Sequence, residues 1–137
     1  MSIITQNVDT LHSRANSQHV TELHGRNDRL ICMSCGSFVD RLQFQNELED
    51  LNADWLASVA SAAACGSQQE QRPDGDAELG KHQSYSSLSI PCCPHCQRGF
   101  LKPDVVFFGD TVPKTRVNRC YDAVRHADGL LCVGSSL

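Results

Sequence analysis

Two pairs of cysteines constrain this chain more than any other feature of its sequence. Each pair has two residues between its members: Cys32 with Cys35, and Cys93 with Cys96. A pair with this spacing places two thiolates on one tight turn, and two pairs supply the four ligands of a closed tetrahedral zinc site. The sequence therefore predicts one structural Zn²⁺ that ties together the two ends of a long intervening segment.

Two alternatives for these cysteines stay open at the level of sequence. Cys92 competes with Cys93 as a ligand, although only Cys93 keeps the two-residue gap. A redox-active dithiol is the rival interpretation, which one pair would allow and two pairs disfavour. His95 lies inside the second loop, where we expect its ring to point away from the metal. Eight cysteines without a signal peptide before them favour a reducing compartment.

Charge and hydrophobicity exclude two classes of partner. The chain has 137 residues, with 12 basic against 16 acidic side chains and a formal net charge of −4. No basic stripe is present, so the sequence predicts no nucleic-acid partner. No apolar run approaches the roughly 20 residues that span a bilayer, so it also predicts no membrane partner.

Short apolar runs at both ends of the chain predict an α/β fold. Ile3 and Ile4 resemble the end of a buried strand, and Gly129–Gly134 resembles a buried parallel strand. Parallel strands need neighbours and crossover connections, and the chain supplies few of them. We therefore expect residues 1–137 to be one domain truncated at both ends.

Periodicity predicts the elements between these strands. Apolar residues spaced by three or four from Phe38 to about Ala64 predict a helix, and 113–127 predicts another. Val105–Phe108 is typical of a buried strand, or of an edge with which a peptide could pair. Residues 66–89 are rich in Gln, Ser, Gly and Asp, which predicts a flexible insertion within a zinc-binding module over 26–101.

Polar residues follow two of the predicted strands. Gln6, Asn7 and Asp9 come after the first strand, and His24-Gly25 comes after an extended segment over 20–23. In open parallel sheets, ligands bind just beyond the carboxyl ends of strands. A helix cap by Asn7 or Asp9 explains the first set equally well, and a lone histidine is more often structural than catalytic. His12, His19, His82 and His126 are assigned that structural role.

The order of these motifs resembles one protein family. Ile4-Thr-Gln-Asn-x-Asp9, Glu22-Leu-His-Gly25, the two cysteine pairs, Lys102–Asp110 and Val133-Gly-Ser-Ser136 follow one another along the chain. Together they are similar to the sirtuins, the NAD-dependent protein deacylases. The run over 101–112 most resembles class II sirtuins of the mitochondrial sirtuin-4 type. The resemblance implies a partial Rossmann-like parallel sheet with a small zinc-binding module.

The resemblance also implies roles for individual residues. His24 would be the general base that activates a ribose hydroxyl, and Cys32, Cys35, Cys93 and Cys96 would hold the zinc. The NAD pocket would be lined by Gln6, Asn7, Val8, Asp9, Gly134, Ser135 and Ser136. The cleft for the acyl-lysine strand would be bordered by Val106, Phe107, Phe108 and Gly109.

The implied activity is NAD-dependent deacylation of protein lysines, as a deacetylase or lipoamidase. The acyl group passes to ADP-ribose and nicotinamide is released; ADP-ribosylation of proteins is a second implied activity. The implied partners are acylated-lysine proteins, and the implied location is the mitochondrial matrix. Nothing in the sequence predicts an oligomeric state.

The chain departs from the family pattern at one position of consequence. A glycine-rich phosphate-binding loop of the Gly-Ala-Gly-x-Ser kind is absent from its 137 residues. Such a loop presents a helix N-terminus to a pyrophosphate. The alternative hypothesis is therefore a non-catalytic, zinc-stabilised binding module, and we expect this chain to bind NAD weakly.

Overall fold

The computed structural model describes residues 1–64 and 85–134, without the side chains of 62–64. Most of the predicted insertion, residues 66–84, lies outside the described residues. The elements, in chain order, are β1 (Ile3–Thr5), α1 (Leu11–Arg14), β2 (Val20–Glu22), β3 (Gly25–Cys32), β4 (Phe38–Asp40), α2 (Arg41–Leu51), α3 (Ala53–Ala64), β5 (Leu101–Val105) and α4 (Lys114–Arg125).

Strands β1 and β2 form the parallel part of the fold. They pair in register, Ile3 with Val20 and Thr5 with Glu22. The connection between them contains only the single-turn helix α1. Because the strands are parallel, their carboxyl ends meet at one edge. The parallel sheet expected from the sequence is confirmed, and its edge carries the polar residues singled out above.

Strands β4, β3 and β5 form an antiparallel sheet with β3 in the centre. Pairing between β3 and β5 is interrupted: Arg26 pairs with Asp104, and the next pair is Leu30 with Pro103. Proline has no backbone N–H to donate to a ladder. The pairing is therefore interrupted beside Pro103, the residue of β5 that cannot donate a backbone hydrogen bond. This sheet carries the cysteine cluster at one end and the His24 turn at the other.

The hydrophobic core of the described part of the chain is small. Its buried apolar side chains are Leu30, Cys32, Val39 and Cys93. Two of the four are therefore predicted metal ligands, and helices α2 and α4 bury no residue. A core of this size offers little hydrophobic stabilisation on its own.

The helix predicted from Phe38 to Ala64 is wrong at its start and interrupted in its middle. Phe38 lies in β4, where it pairs with Ile31, because strand pairing outweighs a helical apolar period. Helix α2 then begins after Asp40, whose side chain accepts a hydrogen bond from the Gln43 amide at 2.9 Å. Helices α2 and α3 are separated at Asn52.

Asn52 joins the helical segment to the returning chain. It is 4% exposed, and its side chain donates to the Ser89 carbonyl and accepts from the Ser89 amide, both at 2.7 Å. The side-chain nitrogen of Asn52, Nδ2, also donates to the Leu48 carbonyl at 2.7 Å. These bonds satisfy a buried polar side chain and bring the end of the predicted insertion back to the α2–α3 junction.

Two further strand predictions differ from the structure. β5 ends at Val105, so Val106–Phe108 lies beyond the strand. Gly129–Gly134 forms no strand among the described residues; Leu131 and Val133 are 88% and 81% exposed. An extended segment becomes a strand only when a neighbour takes up its backbone bonds, and no described strand pairs with this one. The helix predicted over 113–127 is present as α4.

None of the helices within residues 1–64 and 85–134 combines the length and the apolarity that crossing a bilayer requires.

Candidate functional site

The structure brings the four predicted cysteines together. Their sulfur atoms all lie within 4.8 Å of one another. Cys32 Sγ is 3.7 Å from Cys96 Sγ, and Cys35 Sγ is 3.8 Å from Cys93 Sγ. A tetrahedron with Zn–S bonds of about 2.3 Å places its sulfurs about 3.8 Å apart, whereas a disulfide needs about 2.05 Å. The cluster therefore fits one structural Zn²⁺.

Local backbone geometry builds each half of this cluster. The amides of Ser34 and Cys35 both donate to Cys32 Sγ at 3.4 Å, and the Cys93 amide donates to the Gly99 carbonyl at 2.9 Å. A Cβ at Gly99 would lie 2.2 Å from Cys32 Sγ. Only glycine allows the second half to approach the first this closely.

The surroundings of three of these thiols shift their pKa values in opposite directions. The Ser37 hydroxyl lies 3.4 Å from Cys35 Sγ and lowers the pKa of that thiol to about 6. Burial raises the pKa of Cys93 to about 11, and the backbone N–H of Arg98 lowers the pKa of Cys96. Metal coordination deprotonates such thiols, and a closed cluster leaves no sulfur free for dithiol exchange.

The structure also separates the ligands from their competitor. Cys92 is exposed, and its thiol points to the Gln97 carbonyl at 3.4 Å. Its neighbour Cys93 is fully buried within the cluster. His95 is not part of the group of sulfur ligands. The two-residue gap was therefore the correct criterion for choosing Cys93.

A second site is assembled around His24, at the edge where β1 and β2 end. The residue occupies the turn between β2 and β3 and is half-buried. The Leu23 amide donates to Thr5 O at 2.9 Å, which ties this turn to the end of β1. The Val106 amide donates to the His24 carbonyl at 2.9 Å, which ties it to the end of β5. Three strand ends thus converge on one histidine.

The polar residues after β1 lie at the same edge. Gln6, Asn7 and Asp9 are exposed, and the Val8 carbonyl accepts from the Asn27 amide at 3.0 Å. Asp9 Oδ1 accepts from the Leu11 amide at 3.0 Å. The N-cap position of α1 is Thr10, whose side chain makes no capping bond, so the predicted cap by Asn7 or Asp9 is not formed. Asp9 instead binds the first amide of α1 from outside the helix, and the residue remains exposed at the site.

The segment beyond β5 is an exposed apolar turn. Phe107 is 52% exposed and Phe108 is completely exposed. The Asp110 amide closes the turn on Phe107 O at 2.9 Å, and Gly109 has a φ of 91°. Because Val106 is bonded to His24, this turn lies directly beside the histidine.

The third predicted group of NAD ligands is only partly described. Gly134 is exposed with a φ of 67°. Ser135 and Ser136 lie outside the described residues. Of the predicted site residues, the structure therefore brings together 6–9, His24 and 106–109.

Comparison with known proteins decides the family. The pattern described as the Sir2 family matches residues 1–137. This chain belongs to the Sir2 family. Over 135 residues it is 48% identical to an NAD-dependent protein deacetylase of Bordetella bronchiseptica, covering 98% of this chain and 45% of that protein. It is 44% identical to the human NAD-dependent protein lipoamidase sirtuin-4, mitochondrial, covering 98% of this chain and 40% of that protein.

Solved structures agree with this assignment. A mutant Sir2 homologue in an ADP-ribose complex is 26% identical, with a TM-score of 0.53 over 93% of this chain and 35% of that one. This sirtuin chain thus spans less than half the length of the relatives it matches. Its fold is the sirtuin α/β fold, with the zinc module attached to the parallel sheet.

One group of residues in this sirtuin chain was not found from the sequence. Asp104 is 5% exposed, and it binds Arg29 and Arg116 through its carboxylate. The sequence signals this group only through the presence of a carboxylate, Asp104, inside the largely apolar run 101–108. The partners of Asp104 could not be identified, because Arg29 is far away in the sequence.

Gly25, beside His24, supplies a first test of this sirtuin site. It has a φ of 94°, and a Cβ there would lie 1.9 Å from the Asp104 carbonyl oxygen. We expect Gly25→Ala to lower the free energy of unfolding by clearly more than the roughly 1–2 kcal/mol that a left-handed backbone conformation costs a residue with a Cβ. Gly109→Ala is the matched control, since its φ is 91° and its surroundings are open. Equal losses in chemical denaturation would contradict the close packing.

Proposed function

We propose that this chain is part of an NAD-dependent protein-lysine deacylase. The observation that carries the proposal is the convergence of three strand ends on His24, with the exposed polar residues Gln6, Asn7 and Asp9 following β1 and the turn 106–109 following β5. Such an edge is where α/β folds bind ligands. The curated relatives, described as NAD-dependent deacetylases and a lipoamidase, support it.

His24 is the proposed general base. NAD, when bound, would supply an electrophilic ribose carbon with nicotinamide as its leaving group, and a ribose hydroxyl as the nucleophile for the acyl carbon. His24 would accept the proton of that hydroxyl on its imidazole. An imidazole suits this step because its ordinary pKa lies near neutrality. Its half-buried position and its backbone bond to Val106 restrict where the ring can reach.

The acyl-lysine substrate is proposed to bind along the edge of β5. Among the strands that the structure describes, β5 pairs only with β3. An extended peptide can add to an open edge through backbone hydrogen bonds. Val106, Phe107, Phe108 and Gly109 continue that edge past His24, and the exposed phenylalanine rings offer apolar surface to an acyl chain.

The cofactor is proposed to bind on the other side of His24. Gln6, Asn7, Val8 and Asp9 would contact the nicotinamide and its ribose, and Gly134, Ser135 and Ser136 would contact a ribose. The exposed amides and carboxylate at 6–9 offer hydrogen bonds of the kind that ribose hydroxyls and a carboxamide accept or donate. The similar Sir2 homologue described as an ADP-ribose complex supports a cofactor of this chemistry.

The zinc ion has a different role from the catalytic residues. The four cysteines are all sulfur ligands of one cluster, which leaves no position for water or substrate. We propose that residues 26–101 form the zinc module and that its metal holds β3 and β5 in place. Chemistry is left to His24 and the cofactor.

Three finer points are part of the same proposal. The human relative, described as a mitochondrial lipoamidase, supports lipoyl-lysine as a substrate and the mitochondrial matrix as the location. The bacterial relative, described as a deacetylase, supports acetyl-lysine. Protein ADP-ribosylation uses the same nicotinamide-releasing step, with a protein nucleophile as the acceptor. Fractionation of cells that express the full-length gene product would test the location.

The test of function is a product assay on the zinc-loaded, full-length gene product. Acetyl-lysine and lipoyl-lysine peptides are supplied with and without NAD, and the products are identified by mass spectrometry. We expect free lysine peptide, nicotinamide and acylated ADP-ribose in equal amounts, and only when NAD is present. Deacylation without NAD would contradict the proposal. Stoichiometric zinc without any deacylation would favour the non-catalytic binding module.

A further inference from the structure

Asp104 is a buried charge that the proposed chemistry does not use. Within residues 1–64 and 85–134 it is the only buried acidic side chain. Its Oδ2 accepts from Arg29 Nε at 2.8 Å and from Arg29 Nη2 at 2.6 Å, and its Oδ1 accepts from Arg116 Nη2. A buried carboxylate is stable only when both oxygens are satisfied in this way.

The first arginine bridges the interruption between β3 and β5. The ladder passes from the pair Arg26–Asp104 directly to the pair Leu30–Pro103. Arg29 lies within the skipped part of β3, and the proline cannot donate a backbone bond. The two hydrogen bonds from Arg29 to Asp104 Oδ2 therefore join the strands where the ladder does not.

The second arginine brings helix α4 to the same point. Arg116 lies in the first turn of α4, and α4 packs against β2, which leads into the His24 turn. A Cβ at Gly25 would lie 3.0 Å from Arg116 Nη1 and 1.9 Å from the Asp104 carbonyl oxygen. Strand β5, helix α4 and the His24–Gly25 turn thus meet at Asp104.

We propose that Asp104 is a positioning residue for His24. Its two arginine partners hold β5 and α4 against the His24–Gly25 turn, and Val106, two residues further on, is bonded to the His24 carbonyl. The triad thereby sets the position of the imidazole relative to the proposed acyl-lysine edge. The catalytic consequence rests on the proposed function, whereas the positioning of the turn does not.

A merely stabilising ion pair would behave differently from a positioning one. Loss of general stability exposes backbone amides throughout the sheet to exchange, whereas loss of local positioning exposes only those near His24. Two amides distinguish these cases. Val106 N bonds to His24 O, and Met33 N bonds to Phe100 O at the cysteine end, both at 2.9 Å.

The experiment is amide hydrogen exchange by NMR on the zinc-loaded 137-residue chain carrying Asp104→Asn. We expect exchange at Val106 to accelerate by roughly tenfold or more, as the loss of a charged hydrogen bond implies, with Met33 unchanged. The matched control is Asp110→Asn. Asp110 lies on the same segment, and its carboxylate makes only exposed bonds, to Lys102 at 3.2 Å and to the Phe107 amide at 3.4 Å. The bond between Val106 and His24 does not involve it, so we expect no change at Val106 or Met33.

Two outcomes would overturn the positioning role: unchanged exchange at Val106, or equal acceleration at Val106 and Met33. If the Asp104→Asn variant loses its zinc, the exchange experiment is carried out on the Arg116→Lys variant. Lysine keeps the charge of Arg116 but not its forked geometry, and we expect the same local pattern with a smaller change.

The catalytic consequence is measured separately on the full-length gene product. We expect Asp104→Asn to lower kcat for deacylation while KM for NAD stays the same, because the displaced group is the base and not the cofactor pocket. A raised KM for NAD with unchanged kcat would contradict this. Absence of deacylation in the unsubstituted protein would refute the proposed function, and the exchange result would still decide whether Asp104 positions the turn.

Discussion

Cys93→Ser is expected to abolish stoichiometric zinc binding and to unfold the three-stranded sheet β4-β3-β5. Metal binding contributes roughly 10–16 kcal/mol in zinc-finger peptides, which matches or exceeds the roughly 5–15 kcal/mol total stability of a typical domain. In the described part of this chain, two of the four buried apolar side chains are ligand cysteines, Cys32 and Cys93. The sheet therefore has little else to hold it once the metal is lost.

The neighbouring cysteine provides the control for this prediction. Cys92 is exposed and lies outside the cluster, so we expect Cys92→Ser to retain about one zinc per chain and the circular dichroism spectrum of the unsubstituted chain. A chelator should reproduce the Cys93→Ser spectrum. If Cys93→Ser kept its zinc and its fold while Cys92→Ser lost them, the ligand assignment would be wrong.

His24→Tyr is expected to reduce NAD-dependent deacylation by roughly 10²- to 10⁴-fold, the range that a positioned general base contributes. A tyrosine hydroxyl, with an ordinary pKa of about 10, is a poor proton acceptor near neutral pH. Because the backbone carbonyl of His24 makes the bond to Val106, that bond can survive the substitution. The measurement is kcat/KM with an acyl-lysine peptide.

The control for His24→Tyr is another histidine of the same chain. His126 is exposed at the end of α4, where its ring lies 2.7 Å from the Asp122 carbonyl. We expect His126→Gln to leave kcat/KM unchanged, and both variants to keep their zinc. Full activity in His24→Tyr would show that His24 is not the base.

Local sequence patterns predicted the parts of the structure that depend on short spacing. The two cysteine pairs were found because a metal imposes one geometry on any chain that binds it. The chain order of polar residues after strands identified the edge at His24, since parallel strands end together. Each prediction combined short patterns, recognisable from neighbouring residues, with a geometric rule that brings such patterns together across the chain.

The predictions that failed depended on partners distant in the chain. Phe38 has the spacing of a helical residue, yet its pairing with Ile31 makes it part of β4. The interruption at Asn52 depends on Ser89, and the burial of Asp104 depends on Arg29. Periodicity contains no information about such contacts, and an isolated strand prediction such as Gly129–Gly134 is realised only where a neighbour is present.

The most direct test of the proposed cofactor site is an NMR titration of the isotope-labelled, zinc-loaded chain with NAD, a method that detects weak binding. We expect the shifts to concentrate at the backbone amides of Gln6, Asn7 and Asp9 and at His24, and the amides of Gly36 and Gly99 beside the cysteines to stay unchanged. Shifts centred on the cysteine cluster, or no shifts at residues 6–9 and His24, would contradict the claim that this edge is the cofactor site.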